Sequence, residues 1–179
     1  MKMLWFRLLL LLAFPCALAA QSAEIMIRLV DPLDEPEFYC IDIPGYGRNV
    51  QLEAPLMAHT LKRFGAADEM WVMDYPSKGQ IYSKEYELCI EVESASSGAK
   101  LRLKKPSDSP LQRFDLTKNG TLVLQDHPEL GLAVAAGEGT KAGGRSHLRR
   151  DLSLQSLKTT DPKLATWKLV TSAATWPEN

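Results

Sequence analysis

The chain has 179 residues, 45% hydrophobic and 24% charged, with a formal net charge of −1. That length suits one domain, and that composition excludes a collagen, a long coiled coil and a mostly disordered chain. A near-neutral balance lacks the concentrated basic footprint that nucleic-acid binding needs.

Residues 1–20, MKMLWFRLLLLLAFPCALAA, read as a secretory signal peptide. Lys2 and Arg7 make the positive start, residues 8–14 the short apolar run, and Ala17-Leu18-Ala19 the small-x-small cleavage pattern. Cleavage is expected after Ala19 or Ala20, and the location is expected to be secreted or periplasmic. No later apolar run approaches the roughly 20 residues of a membrane-spanning helix, so no transmembrane segment is expected. Cys16 leaves with the leader. Cys40 and Cys89 remain, in a domain over 24–170 followed by a tail, 171–179.

Along that domain, short apolar runs alternate at period two: 24–30, 39–43, 71–73, 80–82, 88–92, 100–103, 121–124, 151–154 and 166–170. Turn residues separate them: Pro44-Gly45, Pro76-Ser77-Lys78-Gly79, Ser96-Ser97-Gly98, Asn119-Gly120 and Gly143-Gly144. Asn119-Gly120 between two apolar runs predicts a tight hairpin. Asn119 also opens a glycosylation sequon, which matters only in a eukaryotic secretory pathway. Only residues 54–64 look helical. Many short strands with turn punctuation predict an all-β barrel or sandwich.

The runs repeat three times, at intervals of about 40–50 residues. Tyr39-Cys40-Ile41-Asp42-Ile43 matches Leu88-Cys89-Ile90-Glu91-Val92 and, more loosely, Leu130-Gly131-Leu132-Ala133-Val134. Each is followed by an apolar-polar-apolar triplet: Val50-Gln51-Leu52, Leu101-Arg102-Leu103 and Leu152-Ser153-Leu154. An aromatic comes next: Glu69-Met70-Trp71, Gln112-Arg113-Phe114 and Ala165-Thr166-Trp167. These motifs resemble the ricin B-type β-trefoil family, with its C-L-D-V-like strand, L-x-L-like strand and Q-x-W motif. No copy of Q-x-W is intact here. The resemblance implies a β-trefoil of three pseudo-symmetric repeats. Ile41, Ile43, Ile90, Val92, Leu132 and Val134 then face inward with Trp71, Phe114 and Trp167.

The resemblance also implies a carbohydrate site, and the first repeat is the one candidate. Asp42 and Gln51 hold matching positions, and Asp68 and Glu69 stand where Asn and Gln are typical. Glu53 occupies the usual platform position, with Tyr46 nearby as a substitute. The second repeat has Glu91, Lys104 and Leu111 at the matching places, and the third has Ala133.

Catalytic patterns are weak. His59, His127 and His147 lack metal-ligand spacing, and the glycine clusters lack a P-loop ending. No enzyme activity, cofactor or metal is expected. Residues 137–151, GEGTKAGGRSHLRRD, form a glycine-rich basic insertion whose Lys141, Arg145, Arg149 and Arg150 are candidates for an anionic glycan, lipid headgroup or acidic protein face. Two functions compete. One is a secreted lectin-like carbohydrate-binding module with at most one standard sugar site, its partner a glycan or glycoprotein. The other is a protein-interaction β-trefoil, such as a toxin-delivery or adhesin subunit or a protease inhibitor, its partner a protein subunit.

In ricin-type repeats the strand cysteine commonly pairs within its own repeat. The matching second positions here hold Ala54 or Pro55 and Lys105 or Pro106. Cys40 and Cys89 occupy equivalent places in different repeats. A disulfide needs Cα atoms within about 7 Å, so two free thiols are expected.

Overall fold

The computed structural model describes residues 23–62, 66–143 and 146–171. The leader 1–20, Arg145 and the tail beyond 171 lie outside them. The first repeat contributes β1 (Met26–Leu29), β2 (Tyr39–Asp42), β3 (Met57–Thr60) and β4 (Val72–Met73). The second contributes β5 (Ile81–Ser83), β6 (Leu88–Val92), β7 (Leu101–Lys104) and β8 (Phe114–Leu116). The third contributes β9 (Leu122–Leu124), β10 (His127–Val134), β11 (Thr140–Lys141), β12 (Leu148–Ser156), a single helical turn α1 (Pro162–Ala165) and β13 (Trp167–Val170).

The first and last strands of each repeat close a ring. Ile25 bridges Trp71 to join β1 and β4, and β4 pairs with β5. The Phe114 N–H donates to Gly79 O at 2.8 Å between β8 and β5, and β8 pairs with β9. Thr121 bridges Thr166 between β9 and β13, and β13 pairs back onto β1. Ring closure satisfies the strand edges that would otherwise invite aggregation. The middle hairpins β2–β3, β6–β7 and β10–β12 cap the ring. They join one another through the β3–β12 ladder, a Leu56 N–H to Leu101 O bond of 2.9 Å, and the Lys100/Ser153 bridge. This is a β-trefoil.

The core follows the repeat. Ile41, Ile43, Ile90, Val92, Leu132 and Val134 are buried with Trp71, Phe114 and Trp167. A buried indole needs an acceptor for its N–H. Trp71 Nε1 donates to Ile41 O at 3.1 Å, and Trp167 Nε1 to Leu132 O at 2.8 Å. Phe114 fills the third equivalent place and needs none. The Asn119-Gly120 turn forms where expected, between β8 and β9. Gly120 has φ +81, and a Cβ there would stand 2.9 Å from Trp167 O, so glycine alone fits the turn and its close approach to β13.

Two expectations are corrected. The helical look of 54–64 fails at Met57–Thr60, which is strand, because it pairs with β2 on one side and β12 on the other. The first repeat's apolar triplet is therefore Leu56-Met57-Ala58. Val50-Gln51-Leu52 lies in the connecting loop, after a 3₁₀ turn at Gly47–Asn49. The 137–151 insertion is also largely a hairpin, with Thr140 paired to Arg149 and Lys141 to Leu148.

Cys40 and Cys89 are both free and buried. Burial raises both thiols, Cys40 well above its usual range with Glu69 and Asp42 adding to the effect, and Cys89 to about 11. A thiol reagent at pH 8 should thus react slowly with the native protein and find two equivalents in protein unfolded without reductant. No equivalents after unfolding would show a disulfide and break the repeat alignment.

Candidate functional site

A cleft of about 770 Å³ opens beside the first repeat, in the size range of small-ligand sites. One wall is the β2–β3 loop, with Tyr46, Asn49 and Gln51. The other is the β11–β12 hairpin, with Lys141, His147 and Arg149. Asp42, Met57, His59 and Lys62 complete the lining.

Strand register explains the floor. Side chains alternate across a strand, and directly opposed residues share a face. Asp42 opposes Met57, and Cys40 opposes His59. His59 in turn opposes Arg149. These residues therefore line one face of three adjacent strands.

The loop wall is fixed by its own backbone. Gln51 N–H donates to Pro44 O at 2.7 Å and Asn49 N–H to Tyr46 O at 3.0 Å. Gly45 makes this possible, with φ +94 and space so tight that a Cβ would sit 2.1 Å from Asn49 O. The loop leaves Tyr46 70% exposed at the cleft's lip.

The opposite wall is pinned by Asp34. Its carboxylate accepts from Arg150 Nη2 at 2.6 Å, Gly139 N at 2.6 Å and Tyr39 Oη at 2.9 Å. Burial alone would raise the Asp34 pKa, but these bonds outweigh it and hold the group at about 2. Thr60 Oγ1 accepts from Leu148 N at 2.7 Å and tethers the same hairpin to β3.

Beneath the cleft lies a buried ionic cluster. Lys62 Nζ donates to Asp42 Oδ2 at 3.0 Å and to Asp68 Oδ2, and stands 3.4 Å from Glu69 Oε1. Lys62 N donates to Glu69 Oε2 at 3.1 Å. His59 Nδ1 lies 2.8 Å from Thr60 O, so that nitrogen carries the proton, and 3.4 Å from Asp42 Oδ2. Asp42 is 1% exposed and Glu69 is fully buried. Asp42 Oδ1 and Glu69 Oε1 have no hydrogen-bond partner among the described residues.

Three acids around one ammonium in a desolvated site resist full ionisation. Burial pushes Asp42 up to about 9, with Lys62 opposing and Glu69 and Asp68 adding to the rise. Burial likewise lifts Glu69 to about 7 against the pull of Lys62. It lowers His59 to about 4. Burial would lower Lys62 too, but Asp42 and Glu69 reverse this and raise it.

The second repeat shows what the cluster replaces. There Gln112, at the place of Glu69, is fully buried. Its Nε2 donates to Glu91 Oε2 and Lys105 O, both at 2.9 Å, and its Oε1 accepts from Ser107 N at 3.0 Å. In the first repeat a carboxylate stands where that amide would be. Lys62 supplies the donors that the carboxylate cannot.

Asp42, His59 and Glu69 each offer one ligand atom within 4.8 Å of the others, a spacing a metal ion can use. The Lys62 ammonium already bridges the two carboxylates. The His59 nitrogen involved directs its proton to Thr60 O. The trio thus forms part of an ion-pair network with its own internal cation.

Of the four candidate sugar residues, Asp42 and Gln51 line the cleft, while Asp68 and Glu69 are buried in the ionic cluster. Of the basic candidates, Lys141 and Arg149 line it. Arg150 is 6% exposed and points the other way, donating to Asp34 and to Ala135 O at 2.7 Å. Arg145 lies outside the described residues. Sequence reasoning missed Lys62 and His59 in the site. Three acids assigned to one repeat were the available hint that a cation must join them.

No protein-family model and no curated protein matches the chain. Solved structures do. The designed three-fold symmetric protein ThreeFoil matches with a TM-score of 0.61 at 15% identity, covering 83% of this chain and 98% of its own. The β-trefoil lectin of the Vibrio vulnificus hemolysin/cytolysin, solved with N-acetyl-D-lactosamine bound, matches at 0.57 and 14%, over 84% and 96%. Cytolethal distending toxin from Actinobacillus actinomycetemcomitans matches at 0.56 and 14%, over 82% and 90%. At such identities the likeness is one of fold. The chain is a β-trefoil, the fold it shares with these structures.

Proposed function

We propose that this chain is a secreted or periplasmic carbohydrate-binding module with at most one standard sugar site, the first-repeat cleft. The leader sequence supports the location. The observation that carries the function is Tyr46, an exposed ring held at the lip of a cleft whose wall offers the Asn49 and Gln51 amides. An aromatic face stacks on the apolar face of a sugar ring, and amides bond its hydroxyls. Asp42 lies on the floor, and its unpartnered Oδ1 is an acceptor for a hydroxyl that reaches it. The role is binding, with no catalytic group assigned.

The test is a glycan array that includes N-acetyllactosamine, run with the wild type, Tyr46→Ala and Asp42→Asn. Tyr46→Ala should weaken binding about tenfold with an unchanged melting temperature, since stacking contributes about 1–2 kcal/mol. A blank array for folded protein, or binding indifferent to both changes, would sink the sugar site.

One observation favours a second reading. The acid expected to hold sugar is almost wholly covered and bridged by Lys62. A β-trefoil with such a site suits a protein-interaction role, as a toxin-delivery or adhesin subunit or a protease inhibitor. A pull-down of the native secreted protein separates the two, because a stable protein partner resistant to competing sugar supports only the second.

A further inference from the structure

We infer that the cleft selects an acidic saccharide, one carrying a carboxylate or sulfate, through Lys141 and Arg149. This rests on the sugar-binding reading and specifies its ligand class. Both cations are exposed, both line the cleft, and neither forms an ion pair with any described carboxylate. Three carboxylates of the surrounding strands and loops are otherwise engaged. Asp34 pairs with Arg150, Asp151 with Lys100, and Asp42 with Lys62. Asp42 is the one acid in the lining, and its burial keeps it from neutralising the mouth of the cleft. Like-signed charges along a concave wall concentrate field at its opening and attract an anion.

The donor balance points the same way. A neutral sugar presents hydroxyls that both donate and accept, and a site for it gains from an exposed carboxylate acceptor. Here the charged exposed groups, Lys141 and Arg149, only donate, beside the Asn49 and Gln51 amides, which both donate and accept. An anionic group offers acceptors alone and matches them. Arg149 adds a planar fork suited to carboxylate or sulfate. Both cations and Tyr46 line one concavity. That shape fits one charged sugar ring better than a flat lipid surface or an acidic protein face.

Both cations stand on the β11–β12 hairpin that borders the cleft. Arg149 opposes Thr140 in the β11–β12 ladder, and Lys141 opposes Leu148. Side chains alternate across this ladder, so Arg149 shares the face of Thr140 and His59 while Lys141 takes the other face with Leu148, and both residues still border the cleft. Asp34, through Gly139 and Arg150, fixes the hairpin on both sides of them. The hairpin is held in place before any ligand arrives, which reduces the ordering cost of binding.

Titration calorimetry with N-acetyllactosamine, its sialylated and sulfated derivatives and a uronic-acid disaccharide tests this, with phosphatidylserine vesicles as a further arm. At least one acidic sugar should bind about tenfold tighter than the neutral parent at low salt. The advantage should shrink as ionic strength rises to about 0.3 M. The Lys141→Ala/Arg149→Ala variant should bind the acidic and neutral sugars alike, with an unchanged melting temperature, while Arg149→Lys keeps most of the preference. The arm that binds best distinguishes carboxylate from sulfate. Equal binding of neutral and acidic sugars by the wild type would overturn the charge selection and leave the sugar-binding reading standing. A preference that survives the double substitution would overturn the assignment to these residues. Binding to vesicles with no binding to any sugar would overturn both readings.

Discussion

Replacing Lys62 with Met should destabilise the domain by about 3–5 kcal/mol at pH 8, or about 10 °C in melting temperature. Removing one partner of a buried ion pair leaves the other charge desolvated and uncompensated. Here it leaves three acids, Asp42, Asp68 and Glu69, each no more than 3% exposed in its side chain. Their remaining neighbour is His59, which burial keeps neutral well below pH 8. The penalty should shrink at pH 5, where Glu69, raised to about 7, takes up a proton and sheds its charge, while Asp42, raised to about 9, holds its proton at both pH values. Lys62→Arg keeps the cation and should lose much less. Urea unfolding of the three proteins at both pH values checks this. Equal loss from Lys62→Met at pH 5 and pH 8 would show that packing of the lysine stem, not charge, sets the cost.

That cluster marks where sequence reading stops. The barrel was legible because its signals are local and repeated: an apolar strand, then a turn, an aromatic and a hairpin. Burial of Trp71, Phe114 and Trp167 at equivalent places follows from that pattern. The first repeat's middle strand was not legible. Leu56-Met57-Ala58-His59 carries a small residue inward and a titratable one outward, so Val50-Gln51-Leu52 looked the better match. Only long-range pairing with β2 and β12 decides between them. Arg150 was legible in principle. In β12 it shares phase with Leu152 and Leu154, which are buried, so it had to point inward, while Arg149 takes the outward phase. Its partner Asp34, far off in sequence, was not. Lys62 had no local mark at all, since its position depends on a loop and a 3₁₀ turn meeting in space.

Glu69→Gln should stabilise the domain by about 2 kcal/mol at pH 8 and by little below pH 5. Burial, opposed by Lys62 and aided by Asp68, raises the folded-state pKa of Glu69 to about 7 from its ordinary 4.5. Between those values the folded protein holds a proton that the unfolded chain has released. Its contribution is complete below the unfolded pKa and is lost as pH rises through the folded one. Glutamine never ionises and so removes that loss. His59, lowered to about 4 from 6.5, gives a slope of opposite sign over part of this range. It is present in both proteins, so the difference between them isolates Glu69 to the extent that His59 keeps its environment. The substitution also restores the residue type that the second repeat retains. The introduced amide can donate to the unpartnered Asp42 Oδ1, as Gln112 Nε2 donates to Glu91 Oε2 at 2.9 Å. Lys62 then faces two acids instead of three, so combining Glu69→Gln with Lys62→Met should cost less than Lys62→Met alone. Residues sharing one network couple by about 0.5–3 kcal/mol, which a double-mutant cycle resolves. Additive effects would show that Glu69 and Lys62 do not couple, and a Glu69→Gln variant less stable than the wild type at pH 8 would mean that Lys62 stabilises the Glu69 carboxylate by more than burial costs it.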